Sequence, residues 1–453
     1  MSSTVLNKPA AEPKETSPTP KPQQPRATGE ASGNPAVTAL NKLGLSIFQQ
    51  GARARTRGQV AASRGSPSYD RGRHAQAAEH LDHNVLLCPA AVTASLLTTL
   101  GCAEAETHLQ FLELMVKEGG KLEHLQAAVF GVFDALEKDK ANAEAALIYR
   151  MFVSRHLELS AECEEMLKTQ LRCRADRVSF RSSTPDDIAY AVNGSFADGS
   201  PLIGEVLAPQ AVDTTASLLV ASAFHYRGLR EPPFTCSPEE LSFKPTATTQ
   251  VSLEFQQGAG SFMYGEIGNT EATKVLELPY RGGAVSLLLL LPDRARLLKD
   301  LIVQLTPAFL SRVAGCLKPK RVRVEMPHAK IEARYTLNTT LIRAGVKQAF
   351  MPSADFTHLV PNGGVRLGDL LHKATLVLDE GRPAATDKEQ QDAVATSAAT
   401  LGPDDVEFEL TRPFIFVLRN TSDGCILLLG VVRDLKKMQS QPATDGPVGV
   451  GVQ

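Results

Sequence analysis

Strand-forming runs crowd the second half of this chain and limit what it can fold into. SLLVASAFHYRG (217–228), KVLELPY (274–280), AVSLLLLLPD (284–293), RVRVEMP (321–327), ATLVLDE (374–380), FIFVLRN (414–420) and CILLLGVV (425–432) are β-rich and bounded by turn residues. The first half reads differently. Val37, Leu40, Gly44, Ile47 and Phe48 recur at helical spacing. After a short strand at Asn84 to Leu87, Pro89 opens a helix carrying Val92, Leu96 and Leu100, a position that suits proline. Helix-like sequence continues through His108 to Lys140, and Asp186 to Phe196 is another amphipathic stretch. Helices early and strands late predict an α+β protein rather than an alternating parallel one. At 453 residues and 43% hydrophobic content there is material for a sizeable core, and no internal repeat is visible.

Charge and composition remove several function classes. The formal net charge of -2 gives no pull toward nucleic acid or an anionic membrane surface. The longest apolar run, Val285 to Leu291, is too short to span a bilayer. Residues 1–36 are rich in Pro, Ser, Thr, Lys and Glu, the composition of a disordered tail. They contain no apolar core, so as written they are not a secretory signal peptide. Residues 437–453 are expected to form a flexible tail. Gln49 to His83, an Arg-, Ser- and Gly-rich stretch, reads as an exposed insertion. Its Arg53, Arg55, Arg57, Arg64, Arg71 and Arg73 are candidates for binding a polyanion. The 7 cysteines stand at 88, 102, 163, 173, 236, 316 and 425 with no Cys-x-x-Cys pair, so buried thiols are expected, with at most a single bridge.

The motifs of enzymes are missing. There is no Gly-x-Ser-x-Gly elbow, no phosphate loop ending in Gly-Lys-Ser/Thr and no His-Glu-x-x-His. His80 and His83 could share a helix face, but no cysteine lies near them. The expectation is therefore no enzymatic activity, no cofactor and no metal. Of the Asn-x-Ser/Thr sequons, the one at Asn193 lies in or beside an amphipathic helix. Asn338 and Asn420 look surface-accessible and are the glycan candidates if the chain is secreted.

Several motifs, taken in order, resemble the serpins over nearly all of residues 37 to 435. ELPY (277–280), followed by an aliphatic strand ending in Leu291-Pro292, is similar to the family's central β-hairpin. MPHAKIEARYTLNTTLIRAGVKQAFMPSADF (326–356) matches its pattern of Pro, Ile, Tyr, Leu, Leu-x-x-x-Gly, Phe and Ala-Asp-Phe. LLHKATLVLDEG (370–381) resembles the strand that feeds the mobile reactive loop. RPFIFVLRNTSDGCILLLGVV (412–432) resembles the C-terminal pair of core strands, and NVLLCP (84–89) the strand-to-helix entry. The resemblance implies one domain, 37–436, with three β-sheets, about eight or nine helices and an exposed reactive-centre loop at about 380–410. In inhibitory members, cleavage lets that loop enter the main sheet as an extra strand and drag the protease with it, a switch driven by stored strain.

The chain departs from the family in places. In the region where the sheet opens, Cys88 and Ala91 replace serines, while Asn193 and His372 match the family's polar residues. Leu229 occupies the position of a characteristic buried tryptophan, and Ser222 replaces an asparagine. The hinge, Glu380, Gly381, Arg382, Pro383, Ala384, Ala385 and Thr386, departs furthest, and its spacing from His372 leaves two registers open. With Gly381 as the hinge glycine, the residues turned inward on insertion are Arg382, Ala384, Thr386 and Lys388. Without the gap they are Pro383, Ala385, Asp387 and Glu389. Either register buries two like charges, and Pro383 removes a ladder donor in both. The first resembles the hinge of the family's non-inhibitory egg-white member, which also has arginine after the glycine.

In the distal loop, AVATSAATLG (393–402) holds no Lys or Arg. Ala395 or Thr396 would suit an elastase-like protease and Leu401 a chymotrypsin-like one. The expected function is a serpin-fold monomer with a binding or carrier role, or a protease substrate, that does not trap proteases efficiently. The alternative is an inhibitor of an elastase- or chymotrypsin-like serine protease. Partners implied by the resemblance are such a protease and a sulfated polysaccharide at the arginines named above. An extracellular location is the favoured reading and a cytoplasmic one the alternative.

Overall fold

Two sheets of unequal size carry the structure, and they differ in what covers them. The computed structural model describes residues 34–62, 84–230, 233–237, 241–246, 248–268, 272–378 and 405–435. The larger sheet is nine-stranded, in the order β1 (Val85–Leu87), β16 (Ile426–Val432), β15 (Phe414–Asn420), β10 (Val285–Pro292), β9 (Thr273–Pro279), β8 (Phe255–Ile267), β11 (Lys318–Pro327), β14 (Val406–Glu409). β5 (Thr235–Cys236) pairs with β8 off this path. Leu287 to Leu291 are 1% exposed or less, so both faces of β10 are covered. That is why its apolar run does not alternate with polar residues.

The five-stranded sheet runs β12 (Lys330–Thr336), β13 (Leu367–Val377), β4 (Leu218–Gly228), β2 (Ala143–Ser154), β3 (Arg174–Val178). β6 (Leu241–Phe243) and β7 (Val251–Leu253) form a third, two-stranded sheet. β13 and β4 are parallel neighbours, paired from Leu367 with Leu218 to Val377 with Arg227. The α+β class and the three sheets agree with expectation.

Helices cover these sheets. They are α1 (Pro35–Ala62), α2 (Pro89–Cys102), α3 (Ala105–Gly119), α4 (Leu122–Lys138), α5 (Ala161–Thr169), α6 (Pro185–Gly199), α7 (Leu298–Gln304), α8 (Pro307–Cys316) and α9 (Asn338–Arg343). α2 is buried along almost its whole length although it holds Thr93, Ser95, Thr98 and Thr99. The hydroxyls of Ser95, Thr98 and Thr99 donate to the carbonyls of Ala91, Ala94 and Ser95 at 3.1, 2.8 and 2.8 Å, so these three are satisfied within the helix, while the Thr93 hydroxyl has no such bond. α6 starts at a capping box of Thr184 and Asp187. It lays Ile188, Val192 and Phe196 against Phe152, Val178 and Leu219 of the five-stranded sheet.

One expectation needs correction. The stretch from Gln49 was read as an exposed insertion, but α1 continues through it to Ala62 and buries Ala52. The alanine, arginine and glutamine of 49–62 are strong helix formers, and they extend a helix already nucleated. Arg53, Arg55 and Arg57 thus lie on α1, whereas Arg64, Arg71, Arg73, His80 and His83 lie outside the described residues. β2, with 12 residues, adds a long interior strand of the five-stranded sheet in the first half of the chain.

Candidate functional site

β4 and β13 are parallel neighbours in the five-stranded sheet, and a polar chain crosses the inner face of the seam between them. His372 of β13 and Ser222 of β4 face each other at 0% exposure. The Cys88 amide donates to His372 Nε2 at 3.1 Å, so this nitrogen is the acceptor and Nδ1 carries the ring proton. Nδ1–H then donates to Ser222 Oγ at 3.0 Å, and the Ser222 hydroxyl to the Leu371 carbonyl at 3.4 Å. The Tyr335 ring packs edge-on to the imidazole, centroids 6.0 Å apart, and its hydroxyl donates to the Leu86 carbonyl.

Burial holds His372 neutral, with its pKa pulled down to about 3. Cys88 Sγ accepts from the Ala91 amide at 3.4 Å as the N-cap of α2, and burial pushes its thiol up to about 12. Such a thiol is a structural group, not a nucleophile.

Asn193 does not join this cluster. It sits on α6, where Nδ2 donates to the Leu207 carbonyl at 2.8 Å and Oδ1 accepts from the Val206 and Leu207 amides at 2.8 and 2.9 Å. It pins the segment after α6, and Ser222 is the side chain that meets His372. Adjacent strands place Ser222 beside His372, a juxtaposition that linear motif matching missed and that strand pairing could have found.

The outer face of the seam is charged. Lys373, 3% exposed, donates to the Glu205 carbonyl at 2.8 Å and pairs with Glu332 at 3.3 Å; Glu332 also holds Lys330 at 3.1 Å. Burial pulls the Lys373 pKa down and Glu332 opposes that shift. His225, beside it on β4, is lowered to about 4 by burial and then by the Lys330 charge.

At the end of the seam a clamp holds Leu378, the last described residue before position 379. The Leu378 carbonyl accepts from Arg230 Nη2 at 3.1 Å and from Gln256 Nε2 at 2.5 Å, while its amide donates to the Ala329 carbonyl at 2.9 Å. Arg230 is 2% exposed, with its guanidinium 5.0 Å from the Phe234 ring centroid and 5.9 Å from that of Tyr280. Leu229 was expected to fill the place of a buried tryptophan. It is only half-buried, and the buried large side chain is its neighbour Arg230. A bridge between Arg230 and Tyr280 sets this phase.

Glu380, Gly381, Arg382, Pro383, Ala384, Ala385 and Thr386 lie outside the described residues, as do Ala395, Thr396 and Leu401. Beyond them Asp405 pairs with Arg321 at 3.1 Å, and β14 lies parallel to β11.

The two glycan candidates differ. The Asn338 amide is fully engaged: Nδ2 donates to the Gly368 carbonyl and to Asp369 Oδ1 at 2.9 and 2.8 Å, and Oδ1 accepts from Leu370 at 3.0 Å. Asn338 is half-buried, because α9 tucks its first residue against β13. Asn420 stands at the turn between β15 and β16, its Oδ1 accepting from Ser422 N at 3.0 Å.

The chain matches the family model described as Serpin (serine protease inhibitor) over residues 71–435. It is 23% identical over 368 residues to ovalbumin from Dromaius novaehollandiae, covering 78% of this chain and 93% of the relative. It is 32% identical over 246 residues to leukocyte elastase inhibitor A from Mus musculus, covering 51% of this chain and 62% of the relative. Uncleaved ovalbumin is a solved structure of similar fold, with a TM-score of 0.69, 18% identity, 87% of this chain covered and 100% of that one.

Proposed function

Because the chain belongs to the serpin family, we propose that it presents a reactive loop to a serine protease without trapping the enzyme efficiently, and serves as a binding or carrier protein or a protease substrate. The observation that carries this reading is the dry inner face of the seam. Val220, Ser222, Phe224 and Tyr226 of β4 and Leu370, His372, Ala374 and Leu376 of β13 are all 1% exposed or less. A strand entering between them turns every second side chain onto that face. In one register those side chains include Arg382 and Lys388, in the other Asp387 and Glu389. An unpaired charge buried there carries a penalty of several kcal/mol, and Pro383 removes a ladder bond as well. In this reading the chain itself catalyses nothing.

A panel of elastase-, chymotrypsin- and trypsin-like proteases tests it on denaturing gels. Nicking between Ala393 and Gly402 without a covalent adduct is the expected result. An SDS-stable complex returns the function to inhibition of an elastase- or chymotrypsin-like protease. That second reading is favoured by the likeness to leukocyte elastase inhibitor A and by the small residues Ala395 and Thr396.

The reading places the protein outside the cell with Asn420 as its glycan site; an unmodified Asn420 in protein passed through the secretory pathway removes that support. A sulfated polysaccharide at Arg53, Arg55, Arg57, Arg64, Arg71 and Arg73 is a separate part of the proposal. Elution from heparin at or below physiological salt counts against it.

A further inference from the structure

At the far end of α2 from Cys88, two thiols that the reading above does not use lie in contact. Cys102, the last residue of α2, and Cys163, in the first turn of α5, have their Sγ atoms 3.6 Å apart, and both are 0% exposed. Met151 Sδ lies 4.0 Å from Cys102 Sγ. We propose that Cys102 and Cys163 form a reversible disulfide that staples α2 to α5 when the protein meets a low-molecular-weight disulfide such as glutathione disulfide.

The two residues are 61 apart in sequence, so the bond would close a long loop and constrain the unfolded chain strongly. The structure also orders the two roles. Cys163 stands at a helix N-terminus, its amide donating to the N-cap Ser160 hydroxyl at 3.3 Å, and amide dipoles favour a thiolate there. Its thiol is held lower than usual by the hydrogen bond from Cys102, whereas that same bond and burial hold Cys102 well above. Cys163 is therefore the thiol that attacks and Cys102 the one that resolves. Access comes through α5, which has 9 residues and leaves Glu162, Glu164 and Glu165 on or near the surface, so a local opening exposes Cys163 without unfolding the sheets.

In the first step the Cys163 thiolate attacks one sulfur of glutathione disulfide; that S–S bond breaks and a glutathione thiolate leaves. In the second, Cys102 gives up its proton and its sulfur attacks Cys163 Sγ, expelling the second glutathione as thiolate. Two protein thiols are oxidised and one glutathione disulfide is reduced to two glutathiones.

The full chain, incubated in oxidised and in reduced glutathione and then trapped with an alkylating agent, tests this by peptide mapping. The expected result is a peptide joining Cys102 to Cys163 in the oxidised sample alone, an intact mass lower by two hydrogens, and a urea midpoint that falls when dithiothreitol is added. The bridge is lost in Cys163→Ser. Alkylation of both residues after oxidation, glutathione retained on Cys163 without a bridge, or a bridge from Cys102 to Cys173 would each overturn the proposal. The wild-type map alone decides it if the variant does not fold.

Discussion

At His372 the ring has no room for a second proton, because Nε2 already accepts from the Cys88 amide and Nδ1 already donates to Ser222. Its folded pKa of about 3 lies below the unfolded value of about 6.5. Between those values the unfolded chain binds a proton that the folded chain refuses, so stability rises with pH and falls on acidification. The contribution of His372 is complete above about pH 6.5, and about 2 kcal/mol of it is lost between pH 6.5 and 4.5. His372→Gln keeps an acceptor and a donor but does not titrate. It should flatten the dependence of the urea midpoint on pH over that window, and an unchanged slope would put the acid sensitivity elsewhere. Arg230 gives a second test at this scale. Arg230→Lys keeps the charge but loses the planar stack on Phe234 and Tyr280 and the reach to Leu378. The expected loss is about 1–3 kcal/mol, with faster amide exchange at Leu376 to Leu378. This residue was hidden in the sequence because arginine is among the residues least often fully buried, so Leu229 looked the natural occupant. Of its two aromatic partners, Phe234 is near in sequence but Tyr280 lies far along the chain and gives no local signal.

The elements that were legible are those whose burial is written locally. β10, β15 and β16 read as strands because their aliphatic runs are covered on both faces, and α2 because Pro89 marks its start. β2 was overlooked because it opens with Ala143, Glu144, Ala145 and Ala146, all helix formers, although Ile148, Tyr149, Phe152 and Val153 further on favour a strand. The polar site was half legible. Cys88 and His372 were found in sequence, but the Ser222 contact of His372 is set by strand register, and Asn193 belongs to another element. A double-mutant cycle checks that assignment. Asn193→Ala and His372→Gln should be additive within about 0.5 kcal/mol in urea denaturation, whereas Ser222→Ala and His372→Gln should couple by more than that. Coupling between Asn193 and His372 would return Asn193 to the seam.

For the whole molecule the decisive quantity is what cutting the loop does to stability. An extra strand between β4 and β13 would add ladder bonds on both sides and cover more core, and a large rise in melting temperature would follow if nothing opposed it. In the proposed reading, an entering strand would bring Arg382 and Lys388, or Asp387 and Glu389, against side chains that are 1% exposed or less. The Lys373 and His225 side chains already crowd the outer face. Entry also requires β13 to part from β4, breaking the His372–Ser222 contact. Two buried charges at several kcal/mol each are comparable with the net stability of a whole domain, about 5–15 kcal/mol. Cleavage between Ala393 and Leu401 should therefore leave the melting temperature nearly unchanged in calorimetry. A variant carrying Arg382→Thr, Pro383→Ser, Asp387→Ala and Lys388→Thr removes the proline and three of the four charges, and should regain part of a cleavage-induced rise. A gain of tens of degrees in the nicked wild-type protein would mean that the strand enters despite these charges, and the inhibitory reading would then replace the one proposed.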